Sequence, residues 1–151
     1  MKIYMAARYS RRLELCGYRE KLQELGHEVT SRWLNGTHQI TDAGVPIGDQ
    51  GESLVERDVG GDSPEAAALH QRFAHQNYED VLAAKLFIGF TEPPRSLHGR
   101  GGRHVEMGIA LTLMKEIWII GYRENLFCWH EDVQFFPTFE DVLRRKHVLL
   151  E

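Results

Sequence analysis

The chain has 151 residues, of which 42% are hydrophobic and 26% charged, and its formal net charge is −4. This length suits a single domain with a sizeable core, and the composition is typical of globular proteins. The negative charge argues against a general nucleic-acid binder, which needs a basic surface. Two distant cysteines, Cys16 and Cys128, form no disulfide framework and favour a reducing, cytoplasmic compartment. We expect no signal peptide and no membrane span, because the chain enters a strand pattern at once and its apolar runs are short.

The hydrophobic pattern predicts strands that alternate with helices. Gly26 fits a helix stop, and Ser63-Pro64 is typical of a helix start. In the first helix, the spacing places four residues near one face: Leu13, Tyr18, Leu22 and Leu25. The predicted strands are 2–7, 27–33, 86–90, 117–120 and 133–136, and the predicted helices are 11–25, 63–84, 104–115 and 138–145. This order predicts a doubly wound α/β fold with a five-stranded parallel sheet and helices on both faces.

Two segments lack a regular pattern. Residues 35–62 are glycine-rich, which indicates a lid, a binding loop, a subunit contact or moderate disorder. Residues 121–130 indicate a loop or a short helix. In doubly wound sheets, ligands bind beyond the carboxyl ends of the strands, near the switch in strand order. We therefore expect residues 6–10, Trp33 and residues 91–103 to converge on one crevice.

The segment from Gly99 to Leu111 carries the strongest functional signal. It follows an apolar strand and reads as a glycine-rich loop and then a helix, in which Glu106 is the one charge from 104 to 114. A carboxylate on such a helix costs free energy unless something uses it. We expect it in the first turn, where the helix dipole favours an anion. Glu106 is predicted to be a nucleophile or general base; the alternative is a charge that only complements the dipole.

Four other residues are candidates for the same crevice. Tyr4 lies on the first strand, where its hydroxyl could bind Glu106 or belong to a plain core tyrosine. Asn77 lies on the apolar face of its helix and should reach a backbone partner or a ligand. Asp80, one turn on, could reach the crevice but is expected in solvent. Trp33 either stacks on an aromatic base or packs in the core.

Known metal and nucleotide motifs do not appear in the sequence. There is no helical His-Glu-x-x-His pair, and Cys128-Trp-His130 is only a fragment of a site, so we expect no metal and no cofactor. Gly99-Arg-Gly-Gly lacks the Gly-Lys-Ser/Thr of a P-loop. Two arginine clusters suit either a phosphate or a solvated surface: Arg8, Arg11 and Arg12, and Arg95, Arg100 and Arg103.

Three segments together resemble a known family, the nucleoside 2-deoxyribosyltransferases and their nucleotide N-glycosidase relatives, particularly the bacterial and phage-encoded branch. They are Lys2-Ile-Tyr-Met-Ala-Ala7, the helix leading into Phe87-Ile-Gly89, and Gly101-Gly-Arg-His-Val-Glu-Met-Gly-Ile-Ala-Leu111, the most specific of the three. The order of elements agrees over nearly the whole chain. The resemblance implies a doubly wound fold and cleavage of the bond between deoxyribose C1′ and a nucleobase.

The resemblance also implies residue roles. Glu106 attacks C1′, Tyr4 hydrogen-bonds Glu106, and the covalent sugar then passes to a second base or to water. The implied small-molecule partners are a nucleoside or nucleotide and a free base, without nucleic acid or membrane. Together with the positions at the strand ends and in the glycine loop, this gives the residues expected to bind substrate: Ala6, Arg8, Ser10, Trp33, Gly102, Arg103 and His104.

The sequence departs from the family pattern at the base-contacting acid. Asn77 stands where the family usually has an aspartate, and an amide cannot deliver a proton as a carboxylic acid does. Base departure could then be slow, could use Asp80 or a loop acid such as Asp58, or could fail. This departure leaves open a rival interpretation, a non-catalytic protein that binds or sequesters a nucleotide.

A second departure concerns the loop before the nucleophile. Arg100 stands where free-nucleoside transferases carry an acid, and Arg103 and His104 follow it. Guanidinium groups suit phosphate, so a 5′-nucleotide is favoured, with Arg8 and Ser10 completing the phosphate site.

The resemblance implies a homodimer or larger assembly in which a neighbour completes the pocket. Glu124-Asn-Leu-Phe127 resembles the segment that does so, with Asn125 as the candidate residue.

Overall fold

The computed structural model describes residues 1–41, 44–46, 63–94 and 101–145. In these residues five parallel strands form one sheet in the order β2-β1-β3-β4-β5. The strands are β1 (Lys2–Ala6), β2 (Glu28–Val29), β3 (Leu86–Phe90), β4 (Glu116–Ile120) and β5 (Val133–Phe136). The α-helices are α1 (Arg12–Glu24), α2 (Pro64–Ala83), α3 (Gly102–Thr112) and α4 (Phe139–Arg144), and short 3-10 helices cover Tyr9–Arg11, Arg32–Asn35 and Leu126–Trp129. The predicted doubly wound α/β fold is confirmed.

Aromatic packing shows how helices cover the two faces of the sheet. Neighbouring side chains of a strand alternate between faces, so Phe87 and Phe90 point in opposite directions. On one face Tyr18 of α1 stacks against Phe90 and against Phe139 of α4, with ring centroids 5.4 and 4.2 Å apart. On the other face Tyr4 stacks against Phe87, with ring centroids 5.8 Å apart. Helices α2 and α3, which contact each other, cover this face.

The strand order places a crevice at the carboxyl ends of β1 and β3. From β1 the chain runs outward to β2, and β3, β4 and β5 follow on the other side. Adjacent strands whose connections leave in opposite directions form the switch point where ligands bind in such sheets. Ala6 and Gly89 are register partners at this edge. A Cβ on Gly89 would lie 2.9 Å from Ile119 Cδ1 and 3.1 Å from Phe87 Cε1, so one of these side chains would have to shift to admit a larger residue.

The prediction of a second strand over 27–33 is wrong in its extent. Only Glu28–Val29 pair with β1, and the 3-10 helix Arg32–Asn35 follows. Two side chains replace the missing ladder: Met5 N–H donates to Ser31 Oγ at 2.6 Å, and Trp33 Nε1 donates to Met5 O at 2.8 Å. Because these side chains satisfy the backbone N–H and C=O of Met5, the chain after Val29 can leave the sheet without leaving those groups unpaired.

Two details of the predicted helices are also corrected. α3 begins at Gly102 rather than at 104, after Gly101 at φ +77°, so Glu106 lies in the second turn and not the first. Glycine adopts this positive φ without strain, which allows the earlier start. In α1, Leu13 is 63% exposed, while Leu15 and Leu22 form the buried face.

Most of the irregular segment 35–62 lies outside the described residues.

No helix in the described part of the chain has the length and apolar character that crossing a bilayer requires.

Candidate active site

Three secondary-structure elements bring a carboxylate, an amide and a phenol together. Glu106 on α3 accepts a hydrogen bond from Asn77 Nδ2 on α2 at 3.2 Å. Tyr4 on β1 lies beside the same carboxylate, although the geometry falls short of a hydrogen bond in this structure. The expected proximity of Tyr4, Asn77 and Glu106 is thus observed.

The surroundings of Glu106 favour its neutral form more than water does. Burial raises the pKa of Glu106 to about 7, and the charge of Asp80 acts in the same direction. The hydrogen bond from Asn77 Nδ2 and the nearby Tyr4 hydroxyl act against this rise, because both groups stabilise the anion. A carboxyl group that titrates near neutral pH can be a nucleophile or can exchange a proton at that pH.

Tyr4 keeps its proton in this site. Its side chain is fully buried, and burial, followed by the nearby Glu106 charge, raises its pKa well above the ordinary value. The phenol is therefore a hydrogen-bond donor at physiological pH.

Two buried polar atoms beside Glu106 have no partner among the described residues. They are the Tyr4 hydroxyl oxygen and Asn77 Oδ1. An unsatisfied buried polar atom costs about 1–3 kcal/mol, so such atoms are rare. Two within one small site indicate a place that a polar ligand or water completes.

The expectation that Asp80 lies in solvent is wrong. Asp80 is only 5% exposed. Its two carboxylate oxygens accept hydrogen bonds from Arg32, one from the backbone N–H at 2.8 Å and one from Nε at 2.7 Å. Burial raises the pKa of Asp80, against the opposing effect of these hydrogen bonds. The pair joins the 3-10 helix after β2 to α2, one turn from Asn77. A direct catalytic role for Asp80 stays a prediction.

Trp33 fits the core interpretation. It is 5% exposed, donates to the backbone of β1, and its ring centroid lies 6.2 Å from that of Tyr9. Stacking of Trp33 on a base stays a prediction without structural support.

Arg103 is engaged within the chain. It donates to Glu124 at 2.8 and 3.2 Å, and both side chains are about nine-tenths buried. Next to this pair, Asn125 contacts His104 Nδ1 at 3.1 Å and accepts from Phe127 N–H at 2.9 Å. The segment 124–127 thus holds the first turn of α3. Sequence reasoning missed Glu124 as the partner of Arg103, and a lone acid in a loop gives no signal for such a pair.

The chain after β1 lies at the carboxyl end of the sheet, where the crevice is predicted. Ala6 is buried at the end of β1, Arg8 is half-buried and Ser10 exposed. Arg11 donates to Thr91 O at 3.3 Å and to Glu92 Oε1 at 3.4 Å, which links the chain after β1 to the chain after β3. Gly102 is exposed in the first turn of α3.

Several predicted residues lie outside the described part of the chain: Gly99, Arg95, Arg100 and Asp58. Within the described part, no group of three or more histidine, cysteine or acidic residues could hold a metal ion.

No protein-family model and no curated protein sequence matches the chain. Among the solved structures that match, two do so along almost their whole length. A CMP N-glycosidase of Clostridium botulinum is 16% identical with a TM-score of 0.54, covering 98% of this chain and 99% of its own. A 2-deoxyribosyltransferase of Bacillus psychrosaccharolyticus is 17% identical with a TM-score of 0.55, covering 94% of this chain and 90% of its own. The chain therefore has the fold shared by these two proteins.

Proposed function

We propose that this chain is an enzyme of the nucleoside 2-deoxyribosyltransferase and N-glycosidase family, which cleaves the N-glycosidic bond of a nucleoside or 5′-nucleotide through Glu106. The observation that carries the proposal is a partly buried carboxyl group with a pKa of about 7, contacted by Asn77 and flanked by Tyr4 at the switch point of the sheet. The fold shared with an N-glycosidase and a deoxyribosyltransferase supports this class of reaction.

The proposed chemistry has two displacement steps. Ionised Glu106 attacks C1′, a C1′–O bond forms, and the C1′–N bond breaks with its electron pair going to the base, which takes up a proton from water. Water or an N–H of a second base then attacks C1′, the C1′–O bond to Glu106 breaks, Glu106 leaves as the carboxylate, and the proton of the attacking group passes to water. Asn77 Nδ2 holds one carboxylate oxygen, and Tyr4 provides a buried donor beside it.

A substrate phosphate and a neighbouring subunit complete the proposal. Arg8 and Ser10 follow β1, and Arg103 lies in the first turn of α3. Arg103 would exchange its contact with Glu124 for the substrate phosphate. A homodimer or larger assembly would place Asn125 beside a neighbour's pocket. In support, the following 3-10 helix exposes 82% of Leu126, 64% of Phe127 and 68% of Trp129.

The test is release of free base. Purified protein is incubated with deoxy- and ribonucleosides and their 5′-monophosphates, with and without a second base, and followed by chromatography. We expect base release that Glu106→Ala abolishes, and a mass increase of one glycosyl group on the wild-type peptide containing Glu106. Wild-type rates in Glu106→Ala would refute the assignment.

Asn77 favours a second candidate function. An amide in contact with the carboxylate supplies no acid for the leaving base, which suits a protein that binds a nucleotide without cleaving it. Tight binding in calorimetry with intact ligand recovered would establish this alternative.

A further inference from the structure

One arginine side chain spans the turn of α2 that carries Asn77. Arg32 Nε donates to Asp80 Oδ1 at 2.7 Å, and Arg32 Nη2 donates to the carbonyl oxygen of Gln76 at 3.2 Å. That carbonyl belongs to the peptide bond that joins Gln76 to Asn77. The guanidinium is planar and its donors have fixed directions, so contacts at both ends of one helical turn fix how that turn lies against Arg32.

Backbone groups next to this guanidinium add two more contacts to the same turn. The Arg32 N–H donates to Asp80 Oδ2 at 2.8 Å, and Thr30 Oγ1 donates to the backbone oxygen of Asp80 at 2.9 Å. Asp80 is thus bound through its side chain and through its backbone. Because the Asp80 carboxylate is buried, its hydrogen bonds to a charged group are stronger than they would be in water.

The residues on either side of Arg32 are attached to β1 beside Tyr4. Ser31 Oγ accepts from the Met5 N–H at 2.6 Å, and Trp33 Nε1 donates to the Met5 carbonyl at 2.8 Å. Met5 directly follows Tyr4 on the strand. Three consecutive residues therefore join the strand that carries the buried phenol to the helical turn that carries the amide.

We propose that Arg32 is a positioning residue of the candidate site, which holds this turn of α2 against the segment bound to β1 and thereby keeps the Asn77 amide on Glu106. The contact that it maintains is sensitive to position, because 3.2 Å is at the long end of the range for an N–H···O hydrogen bond. The inference rests on the proposed function only in treating Glu106 as the nucleophile.

The charge of Arg32 offers a second explanation for any effect of its removal. Arg32 opposes the charge of Asp80, which raises the pKa of Glu106. Arg32→Lys separates the two explanations, since lysine keeps a cation beside Asp80 but presents one nitrogen where arginine presents Nε and Nη2. Loss of position predicts the same direction of change in Arg32→Lys as in Arg32→Ala, whereas loss of charge predicts a change in Arg32→Ala alone.

The experiment follows the side-chain amide of Asn77 by proton–nitrogen NMR of the whole chain from pH 5 to pH 8. The signal is assigned by its disappearance in Asn77→Ala. In the wild type its chemical shift should follow the titration of Glu106, because Nδ2 donates to a carboxylate that takes up a proton in this range. The pH response should vanish in Glu106→Gln.

In Arg32→Ala and in Arg32→Lys, the pH response of the Asn77 amide should fall to about half or less of that in the wild type. Arg32→Lys also keeps a partner for buried Asp80, which protects the fold if Arg32→Ala does not fold. The matched control is Arg19→Ala, because Arg19 reaches the same 3-10 helix from α1 by donating to Asn35 Oδ1 at 3.0 Å. This control should leave the response unchanged.

Three results would overturn the inference. They are a full response of the Asn77 amide in either Arg32 variant that folds, an equal loss in Arg19→Ala, and an amide in the wild type that does not respond to pH.

A second measurement asks whether Arg32 acts through Asn77 in the reaction. Arg32→Ala should lower kcat/KM for base release about tenfold or more. In an Asn77→Ala background the same substitution should cost about twofold or less, because the contact that it positions is already gone. Independent, multiplying losses would contradict the inference.

The outcome is separable from that of the proposed function. A reduced response of the Asn77 amide in both Arg32 variants, together with no base release by the wild type, would refute the enzyme and keep the inference. Base release that depends on Glu106, with the response of the amide unchanged in both Arg32 variants, would refute the inference alone.

Discussion

Glu106 should reduce the stability of the protein as pH rises. Its pKa is about 7 in the folded state against an ordinary 4.5, so the unfolded chain ionises first and the free energy of unfolding falls between these values. The difference between the two pKa values corresponds to a loss of about 3 kcal/mol in the free energy of unfolding, and most of this loss occurs between pH 5 and pH 8. Glu106→Gln has no such titration. The free energy of unfolding of the variant, measured relative to that of the wild type, should therefore rise by about 2 to 3 kcal/mol from pH 5 to pH 8.

The assay is urea unfolding of both proteins at pH 5 and pH 8, followed by circular dichroism. The relevant quantity is the change with pH of the stability difference, because a constant effect of the new amide cancels. Glu131→Gln is the control, since Glu131 is exposed in the turn before β5. A stability difference between Glu106→Gln and wild type that is the same at both pH values would show that the pKa of Glu106 is not raised by burial, and the reasoning would fail.

Three further predictions concern the same region. The value of kcat/KM for base release should rise about tenfold per pH unit below pH 7 and level off above it, because Glu106 of the free protein must lose its proton to attack; a pH profile of kcat/KM checks this, and a flat profile down to pH 5 would contradict it. Arg32→Ala should cost about 2 kcal/mol in urea unfolding by removing a donor from buried Asp80, with Glu79→Gln, at the exposed partner of Arg32, as a near-neutral control. Gly89→Ala should cost about 1–3 kcal/mol in thermal unfolding, and an unchanged melting temperature would show that the neighbouring side chains give way freely.

Local patterns were sufficient to predict most of the fold. β3 and α2 occur where the apolar run 86–90 and the Ser63-Pro64 start place them, because their signals depend on neighbours in sequence. The second strand was overextended because its termination depends on Ser31 and Trp33 binding Met5, a contact between distant parts of the chain. Propensity alone does not report such a contact.

In the candidate site too, some residues could be predicted from the local sequence, whereas others depend on contacts between distant parts of the chain. Asn77 and Glu106 were found because each is a polar residue at an otherwise apolar helix position, which a single sequence reveals. The Arg32–Asp80 and Arg103–Glu124 pairs were not found, because each joins a residue outside the α-helices and strands to an α-helix that is distant in sequence. Charged residues are normally on the surface, so the expectation for Asp80 followed the common case and was wrong.

The way β1 ends its pairing has a consequence for self-association. Met5 points its N–H and C=O toward the short edge strand β2, and both groups are taken by side chains: Ser31 Oγ binds the N–H and the carbonyl, and Trp33 Nε1 binds the carbonyl. An edge whose backbone groups are already occupied gives no template for a strand from another molecule. A sheet with an edge strand of only two residues is thus protected from edge-to-edge aggregation at this point, without a longer strand to cover it.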